Sequence, residues 1–167
     1  MGSSLSLPIL ALAAVLQASI VPQFSILGGR PDLVFLLVIS WALNAPLEQG
    51  IIWAFVGGIL QDLMSAAPTG TSVIGMVLIV FALDVFRQQI YRVGVLTILW
   101  VTLVGTFVQQ ILVMAVLVLS GFTIPVLDNL GYVVLPTVFY NLILVFPVYF
   151  ITRRIQKRVA GRARFFS

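Results

Sequence analysis

Three charged residues are the candidates for polar chemistry in an otherwise apolar part of this chain. Arg30 and Asp32 belong to the motif Gly-Arg-Pro-Asp at 29–32, and Asp62 stands near the end of the second apolar run that follows. In lipid, an ionisable side chain costs about 2.5–3.5 kcal/mol at the bilayer centre and less near the surface. Two interpretations stay open: solvated surface charges in which Arg30 partly neutralises both carboxylates, and a polar contact site for a partner on the outer face.

The residue types argue against an enzyme. The chain has no His and no Cys, so it lacks the commonest general base and the thiolate ligands of metal sites. Asp32 and Asp62 are the only carboxylates placed to converge in a membrane, and Arg30 and nearby water would keep both ionised. No phosphate-binding or dinucleotide-binding motif occurs, so we predict no catalysis, no cofactor and no metal.

Small residues recur every four positions in the same region. Gly50, Ala54 and Gly58 are followed at this spacing by Asp62, so a helix carries all four along one slowly turning stripe. Small residues let helix backbones approach closely in a membrane. The stripe predicts either a groove for a partner helix, with Asp62 fixing its register, or tight packing against helices of the same chain.

Gln109, Gln110 and Asn141 are uncharged polar residues inside apolar segments. A buried amide in lipid usually hydrogen-bonds a neighbouring helix, for roughly 0.6–2 kcal/mol per contact. We therefore predict that these three residues hold helices of this chain together and do not form a ligand site.

The elements that position these residues must be solvated mostly by lipid. Of the 167 residues, 61% are hydrophobic and only 8% are charged, whereas soluble domains average about 25% charged residues. The apolar segments predict an all-α, six-helix transmembrane bundle, with helices at Leu5–Leu27, Asp32–Ala45, Leu47–Met64, Thr71–Phe86, Val93–Ser120 and Leu130–Ile155. The second and third are short, so they either cross a thinned bilayer or form a hairpin that does not fully cross.

Lys and Arg residues predict the orientation, because cytoplasmic loops are enriched in them. Six of the nine basic residues follow Ile151, and Arg87 and Arg92 lie in one loop. Placing that loop and the tail inside puts eight of the nine in the cytoplasm, together with both termini. The predicted domains are a six-helix transmembrane domain at 1–156 and a basic cytoplasmic tail at 157–167.

The basic tail predicts a topology anchor first of all. Its second predicted role is contact with anionic lipid or a cytoplasmic partner, since each basic residue near a membrane surface contributes about 1 kcal/mol. The candidates for that contact are Arg153, Arg154, Lys157 and Arg158. Because the basic run directly follows an apolar helix, we expect a membrane surface and not nucleic acid.

Several motifs in a fixed order carry a family resemblance. Arg-Pro-Asp-Leu at 30–33 precedes an apolar run, and Gly-Gly-Ile-Leu-Gln-Asp-Leu at 57–63 precedes a Pro-Thr-Gly loop. Near the end follow Leu-Pro-Thr at 135–137, Asn141, Pro147, Tyr149 and Arg153-Arg154. In this combination the chain resembles the MreD family, the integral-membrane rod shape-determining proteins of bacteria, over most of its length.

The resemblance implies a non-enzymatic scaffold in the bacterial inner membrane. MreD-like proteins pair with the single-pass protein MreC, and through it with the MreB cytoskeleton and the RodA–penicillin-binding-protein pair that builds peptidoglycan. The family is similar in fold to the six-helix substrate-binding subunits of energy-coupling-factor vitamin transporters. The alternative function is therefore a small-molecule (vitamin)-binding subunit of a transporter.

Overall fold

The structure is a computed structural model that describes residues 6–24, 28–65, 68–87, 93–123 and 125–163. These residues form six helices, which confirms the all-α, six-helix prediction. The first five are α1 (Ser6–Ser19), α2 (Leu33–Ala42), α3 (Leu47–Leu63), α4 (Thr71–Arg87) and α5 (Val95–Leu119). The sixth runs without a break through α6 (Val126–Asn129), a π-helical turn (Leu130–Val134) and α7 (Leu135–Ala163).

The helix bounds differ from the predicted ones mainly at two places. α1 ends at Ser19 and a 3₁₀ turn at Val21–Phe24 follows, because Pro22 cannot continue an α-helix; the rest of that predicted segment, 25–27, lies outside the described residues. The last helix begins four residues earlier than predicted and continues to Ala163. It therefore passes the expected domain boundary at 156 without interruption.

Lipid is the natural solvent for the outer surface of this bundle. Within the described residues, three helical stretches have the length and apolar composition to cross a membrane: Ser6–Gln23, Val95–Leu119 and Leu130–Val159. Large apolar side chains point outward from these stretches, including Leu96 and Leu119, which are 70% and 87% exposed. A continuous apolar surface of this extent is unfavourable in water, so the fold fits a membrane protein.

α2 is the central helix of the bundle. Eight of its ten residues are buried, and it packs against α1, α3, α4, α5 and α7. Its sequence, Leu-Val-Phe-Leu-Leu-Val-Ile-Ser-Trp-Ala, is apolar on every side, as a helix surrounded by other helices requires. The other helices thus form a ring around α2.

α2 fills only half of the bundle axis. Its ten residues span about 15 Å at 1.5 Å per residue, about half of a ~30 Å hydrocarbon core. At its start, the Asp32 backbone N–H donates to Asn141 Oδ1 at 2.9 Å, and Asn141 Nδ2 donates to Thr106 Oγ1 at 3.1 Å. Thr106 lies near the middle of α5, so α2 begins deep inside the bundle. For α2, this corresponds to the predicted hairpin that does not fully cross.

The other end of α2 is fixed by aromatic and polar contacts. The Trp41 and Trp53 rings stack with centroids 4.0 Å apart, joining α2 to α3. Tyr149 Oη donates to Asn44 Oδ1 at 3.2 Å, and Gln156 Nε2 donates to the Trp41 carbonyl at 3.0 Å. These bonds hold the end of α2 and the following turn against α7, so both ends of the central helix are positioned by side chains of the same outer helix.

Candidate functional site

Asn141 is the centre of a polar network at the start of α2. Its side chain is fully buried, and it joins the Asp32 backbone to Thr106 on α5 through the two hydrogen bonds given above. An amide can accept and donate at once, and Asn141 does both. It therefore links α7 to α2 and to α5, in line with the prediction that it holds helices together.

Asp32 caps α2 and joins it to α3. Its Oδ1 accepts from the Phe35 backbone N–H at 3.0 Å, which is the bond expected of an N-cap residue. Its Oδ2 accepts from Gln61 Nε2 at 2.7 Å. The Val34 N–H donates to Gln17 Oε1 of α1 at 3.0 Å. The first turn of α2 is thus held by α1, α3 and α7 together.

Gln61 and Gln17 are site residues that sequence reasoning missed. Gln61 directly precedes Asp62 in the motif at 57–63, and Gln17 is the one amide side chain of α1. Both are polar residues in apolar helices, which is the same signal that singled out Asn141. Their partners are not readable from that signal, because Val34 stands 17 residues from Gln17 and Asp32 stands 29 residues from Gln61.

Arg30 does not neutralise the carboxylates. Its backbone N–H donates to Thr137 Oγ1 at 3.2 Å, and its side chain is exposed. Among the described residues no carboxylate forms an ion pair with its guanidinium. The expected neutralisation is therefore revised, because Asp32 and Asp62 already accept hydrogen bonds from backbone and amide groups.

Gly29 explains how Arg30 is held in place. The chain passes so close to α7 at this point that a methyl group on Gly29 would lie 2.5 Å from Pro136 Cβ and 2.9 Å from the Thr137 nitrogen. Only a residue without a side chain fits such a close approach. Gly29 therefore fixes the path of the chain along α7 and places the following Arg30 at the edge of the bundle.

Asp62 serves a different helix from Asp32. Its Oδ2 accepts from the Gly70 N–H at 2.6 Å and its Oδ1 from the Ser72 N–H at 3.0 Å. It is only 3% exposed, and it caps the first turn of α4 from the end of α3. The predicted cluster of Arg30, Asp32 and Asp62 is thus divided: Asp62 is directed toward α4, Asp32 lies at the start of α2 and Arg30 is exposed at the edge of the bundle.

The small-residue stripe on α3 faces α4. A methyl group on Gly58 would lie 2.5 Å from Val73 Cα, and one on Gly50 would lie 2.9 Å from Val80 Cγ1. Ala54 between them has no exposed surface. The assignment of Gly50, Ala54, Gly58 and Asp62 to partner binding is therefore revised, because α4 already occupies this face. The structure corresponds to the internal-packing alternative.

Gln109 and Gln110 have opposite environments. Gln109 is buried against Gly75 of α4, and neither atom of its amide has a hydrogen-bond partner among the described residues. Gln110, the next residue, turns toward the bundle axis and lines a cavity there. The described contacts of Gln109 and Gln110 thus do not support the prediction that these amides join helices through hydrogen bonds.

The cavity, which we call the central vestibule, occupies the half of the bundle axis that α2 leaves unfilled. Its volume is about 440 Å³, and α1, the 28–34 segment, the end of α3, α5 and the start of α7 surround it. Its polar lining comes from Gln17, Arg30, Asp32, Gln61, Ser65, Gln110 and Thr137. Polar groups of α1, the 28–34 segment, the end of α3, α5 and α7 thus converge on one space.

A second concave feature, the α4–α5 groove, lies on the outside of the bundle. It has a volume of about 600 Å³ and is lined by Ala42, Leu43, Val93 and residues of α4 and α5 between Leu78 and Val108. All of its lining side chains are uncharged, and their polar groups are the Thr97 hydroxyl and the Trp100 indole N–H. The groove is therefore suited to an apolar occupant.

The predicted basic contact residues lie on the last turns of α7. Arg153, Arg154, Lys157 and Arg158 are all exposed, at the same end of the bundle as the α2–α3 turn, since Gln156 bonds Trp41. Their side chains are free to meet a membrane surface. Lipid contact by these residues stays a prediction.

Comparison with known proteins places this architecture in a family. The family described as rod shape-determining protein MreD matches residues 1–159 of the chain. No curated protein and no solved structure is significantly similar to it. The fold similarity to energy-coupling-factor subunits therefore stays a prediction, whereas the family match includes every residue of the vestibule and of the groove.

Proposed function

The chain belongs to the MreD family, and from this membership we propose that it is a non-enzymatic scaffold of the bacterial cell-elongation complex. The family points to rod shape determination. In our proposal the protein lies in the inner membrane and binds an MreC-like single-pass partner. Through that partner it associates with MreB, RodA and a penicillin-binding protein, and so helps to organise peptidoglycan synthesis.

The α4–α5 groove is the observation that best supports a scaffold role. Its lining is uncharged from Ala42 to Val108, so its occupant must be a lipid chain or an apolar helix. Helices associate in membranes chiefly through van der Waals packing, and a concave surface offers a helix more contact than a convex one. We propose that the membrane helix of the MreC-like partner lies in this groove.

Small side chains in the groove favour a helix as the occupant. Ala82 of α4 and Thr97 of α5 both line it, and Ala82 is exposed. Small residues permit the close backbone approach that helix pairs need in lipid. The stripe on α3 offers the same residue types, but α4 fills it, so the proposed partner site moves to the next helix pair.

The test is recovery of the partner by a groove-filling variant. In Ala82→Trp the indole would occupy the space that the partner helix needs, so we expect the MreC-like protein of the same bacterium to be lost from a detergent pull-down. The loss expected is about tenfold or more, since an occluded helix interface forfeits several side-chain contacts. Thermal unfolding of the variant alone should match that of the wild type, because Ala82 is exposed.

Ala115→Trp is the matched control. Ala115 is also exposed and lies on α5, but it is not part of the groove lining. This variant should recover the partner as the wild type does. Full recovery by Ala82→Trp, with unfolding unchanged in both variants, would show that the groove holds lipid and that the partner binds elsewhere.

A further inference from the structure

The central vestibule exists because the central helix is short. α2 begins at the level of Asn141 and Thr106, and the surrounding helices continue past this level. In the described part of the chain, the remaining half of the axis holds the 28–32 segment and the cavity of about 440 Å³. Small-molecule sites have volumes of about 300–1,000 Å³, so the vestibule is large enough for a ligand.

The vestibule carries one positive and one negative group. Among the described residues that line it, Arg30 and Asp32 are the charged ones. Arg30 is exposed and lies at the mouth, whereas Asp32 is only 7% exposed and lies at the floor. Opposite charges at mouth and floor, with no ion pair between them among the described residues, match a ligand that carries both signs itself.

Two polar side chains of the vestibule are available to hydrogen-bond a ligand. Neither the Arg30 guanidinium nor the Gln110 amide forms a hydrogen bond with any described residue. Asp32 accepts from the Phe35 N–H and the Gln61 amide, with the Gln17 amide as a further donor, and a carboxylate with about four lone-pair sites has room for one more hydrogen bond. The site thus offers guanidinium donors to an anion, and the Gln110 carbonyl and the Asp32 carboxylate to an N–H donor.

We propose that the central vestibule binds a phosphoethanolamine group. The phosphate lies against the Arg30 guanidinium, whose donor geometry suits phosphate oxygens. The ammonium points inward to Gln110 and Asp32. A free phosphoethanolamine and the headgroup of phosphatidylethanolamine share this chemistry. Choline in place of ethanolamine lacks the N–H donors, so a phosphocholine group fits less well. This site does not depend on the proposed partner groove, since the two share no lining residue.

Part of the vestibule wall also suits the linkage of a lipid. On the α1 side Gln17 is polar, and the lining beside it is formed by apolar side chains, among them Ala14, Ala18 and Val21. Glycerol and the first carbons of an acyl chain can lie on such a surface while the headgroup occupies the polar part. The lipid form of the ligand is therefore as compatible with the cavity as the free form.

The experiment compares two headgroups on the full-length protein. The delipidated protein in maltoside detergent is titrated with O-phosphoethanolamine and with phosphocholine while its thermal unfolding is followed. Native mass spectrometry then compares phosphatidylethanolamine with phosphatidylcholine of the same acyl chains. We expect ethanolamine ligands to raise the unfolding temperature and to bind about tenfold more tightly than choline ligands, as the loss of charge-assisted hydrogen bonds requires.

Variants at the mouth and wall identify the site. Arg30→Ala should weaken ethanolamine binding about tenfold or more, and Arg30→Lys should retain most of it. Gln110→Leu should remove the preference for ethanolamine over choline while phosphate binding remains. Glu48→Ala removes an exposed charge at the start of α3, at the opposite end of the bundle, and should leave ethanolamine binding unchanged.

Each outcome bears on the proposal. Stabilisation by both O-phosphoethanolamine and phosphatidylethanolamine supports the proposal and shows that the soluble group is sufficient for binding. Stabilisation by the lipid alone also supports it and shows that the ligand is the lipid headgroup. Equal binding of choline and ethanolamine forms, no binding of either, or unchanged binding by Arg30→Ala overturns it. Loss of the partner in Ala82→Trp would leave these results unaffected, so the two proposals fail separately.

Discussion

Asn141 and Gln109 carry the same amide group in opposite surroundings. Asn141 bonds two helices at once, whereas Gln109 lies against Gly75 with no hydrogen-bond partner among the described residues. Sequence reasoning treated them alike, because a polar residue in an apolar segment gives the same signal at both positions. The difference depends on which neighbouring helix faces each residue, and that information is not local to the sequence.

The two hydrogen bonds of Asn141, to the Asp32 N–H and to Thr106, should contribute unequally to the free energy of unfolding. In Asn141→Leu the buried Asp32 N–H loses its acceptor, and an unpaired buried group costs about 1–3 kcal/mol. Thr106 would lose less, because a helical threonine can donate to the carbonyl four residues earlier, as Thr102 and Thr152 do. Asn141→Leu should therefore lower the free energy of unfolding in detergent by about 1–3 kcal/mol.

Thr106→Val is the comparison for that measurement. It replaces the hydroxyl by a methyl group and breaks one hydrogen bond of the network, whereas Asn141→Leu breaks two, so it should cost less than Asn141→Leu, about 1 kcal/mol. Equal losses from the two variants would show that the Asp32 N–H finds another partner when Asn141 is absent, and that the amide does not position α2.

At the scale of the element, spacing predicts shared faces but not their neighbours. The four-residue spacing correctly placed Gly50, Ala54 and Gly58 on one face of α3, since that follows from the helical repeat alone. It left open whether the face meets a partner or another helix of the chain. The short connection between α3 and α4 decides this, because it returns α4 directly alongside α3.

The close packing of α3 on α4 gives a second prediction. A methyl group at Gly58 would lie 2.5 Å from Val73 Cα and 2.6 Å from its nitrogen. A backbone cannot move aside as a side chain does, so the two helices must separate. Gly58→Ala should therefore reduce the free energy of unfolding of the isolated protein by about 1–3 kcal/mol, as overpacked sites do.

Gly131→Ala serves as the control for added volume. A methyl group there meets nothing within 4 Å, and alanine favours a helix over glycine by up to about 1 kcal/mol. This variant should unfold at the same temperature as the wild type or a higher one. If Gly58→Ala were as stable as Gly131→Ala, the α3–α4 contact would be looser than the structure indicates.

For the whole molecule, composition was enough for the fold class but not for the depth of α2. Low charge and long apolar runs predict a six-helix bundle, because lipid must cover such a surface. They also predict most helix bounds within a few residues. The depth of α2 rests on the bond between Asp32 and Asn141, which are 109 positions apart. The vestibule follows from that depth, so no local pattern could have indicated it.

The orientation of the bundle is a prediction that the chain makes easy to test, since it contains no Cys. A single introduced cysteine is then the only site that a maleimide can label. Thr69 and Thr123 are exposed at the end of the bundle that holds the vestibule, and Lys157 is exposed at the other. The excess of Lys and Arg at the second end predicts that it is cytoplasmic. Thr69→Cys and Thr123→Cys should react with a membrane-impermeant maleimide in intact spheroplasts.

Lys157→Cys should react only after the membrane is permeabilised, because the tail would lie inside with eight of the nine basic residues. Labelling of all three variants after permeabilisation shows that each cysteine is reactive, which separates topology from burial. The reverse pattern, with Lys157→Cys labelled in intact spheroplasts, would contradict the orientation. It would also place the vestibule mouth and Arg30 in the cytoplasm, so its ligand would have to come from that side.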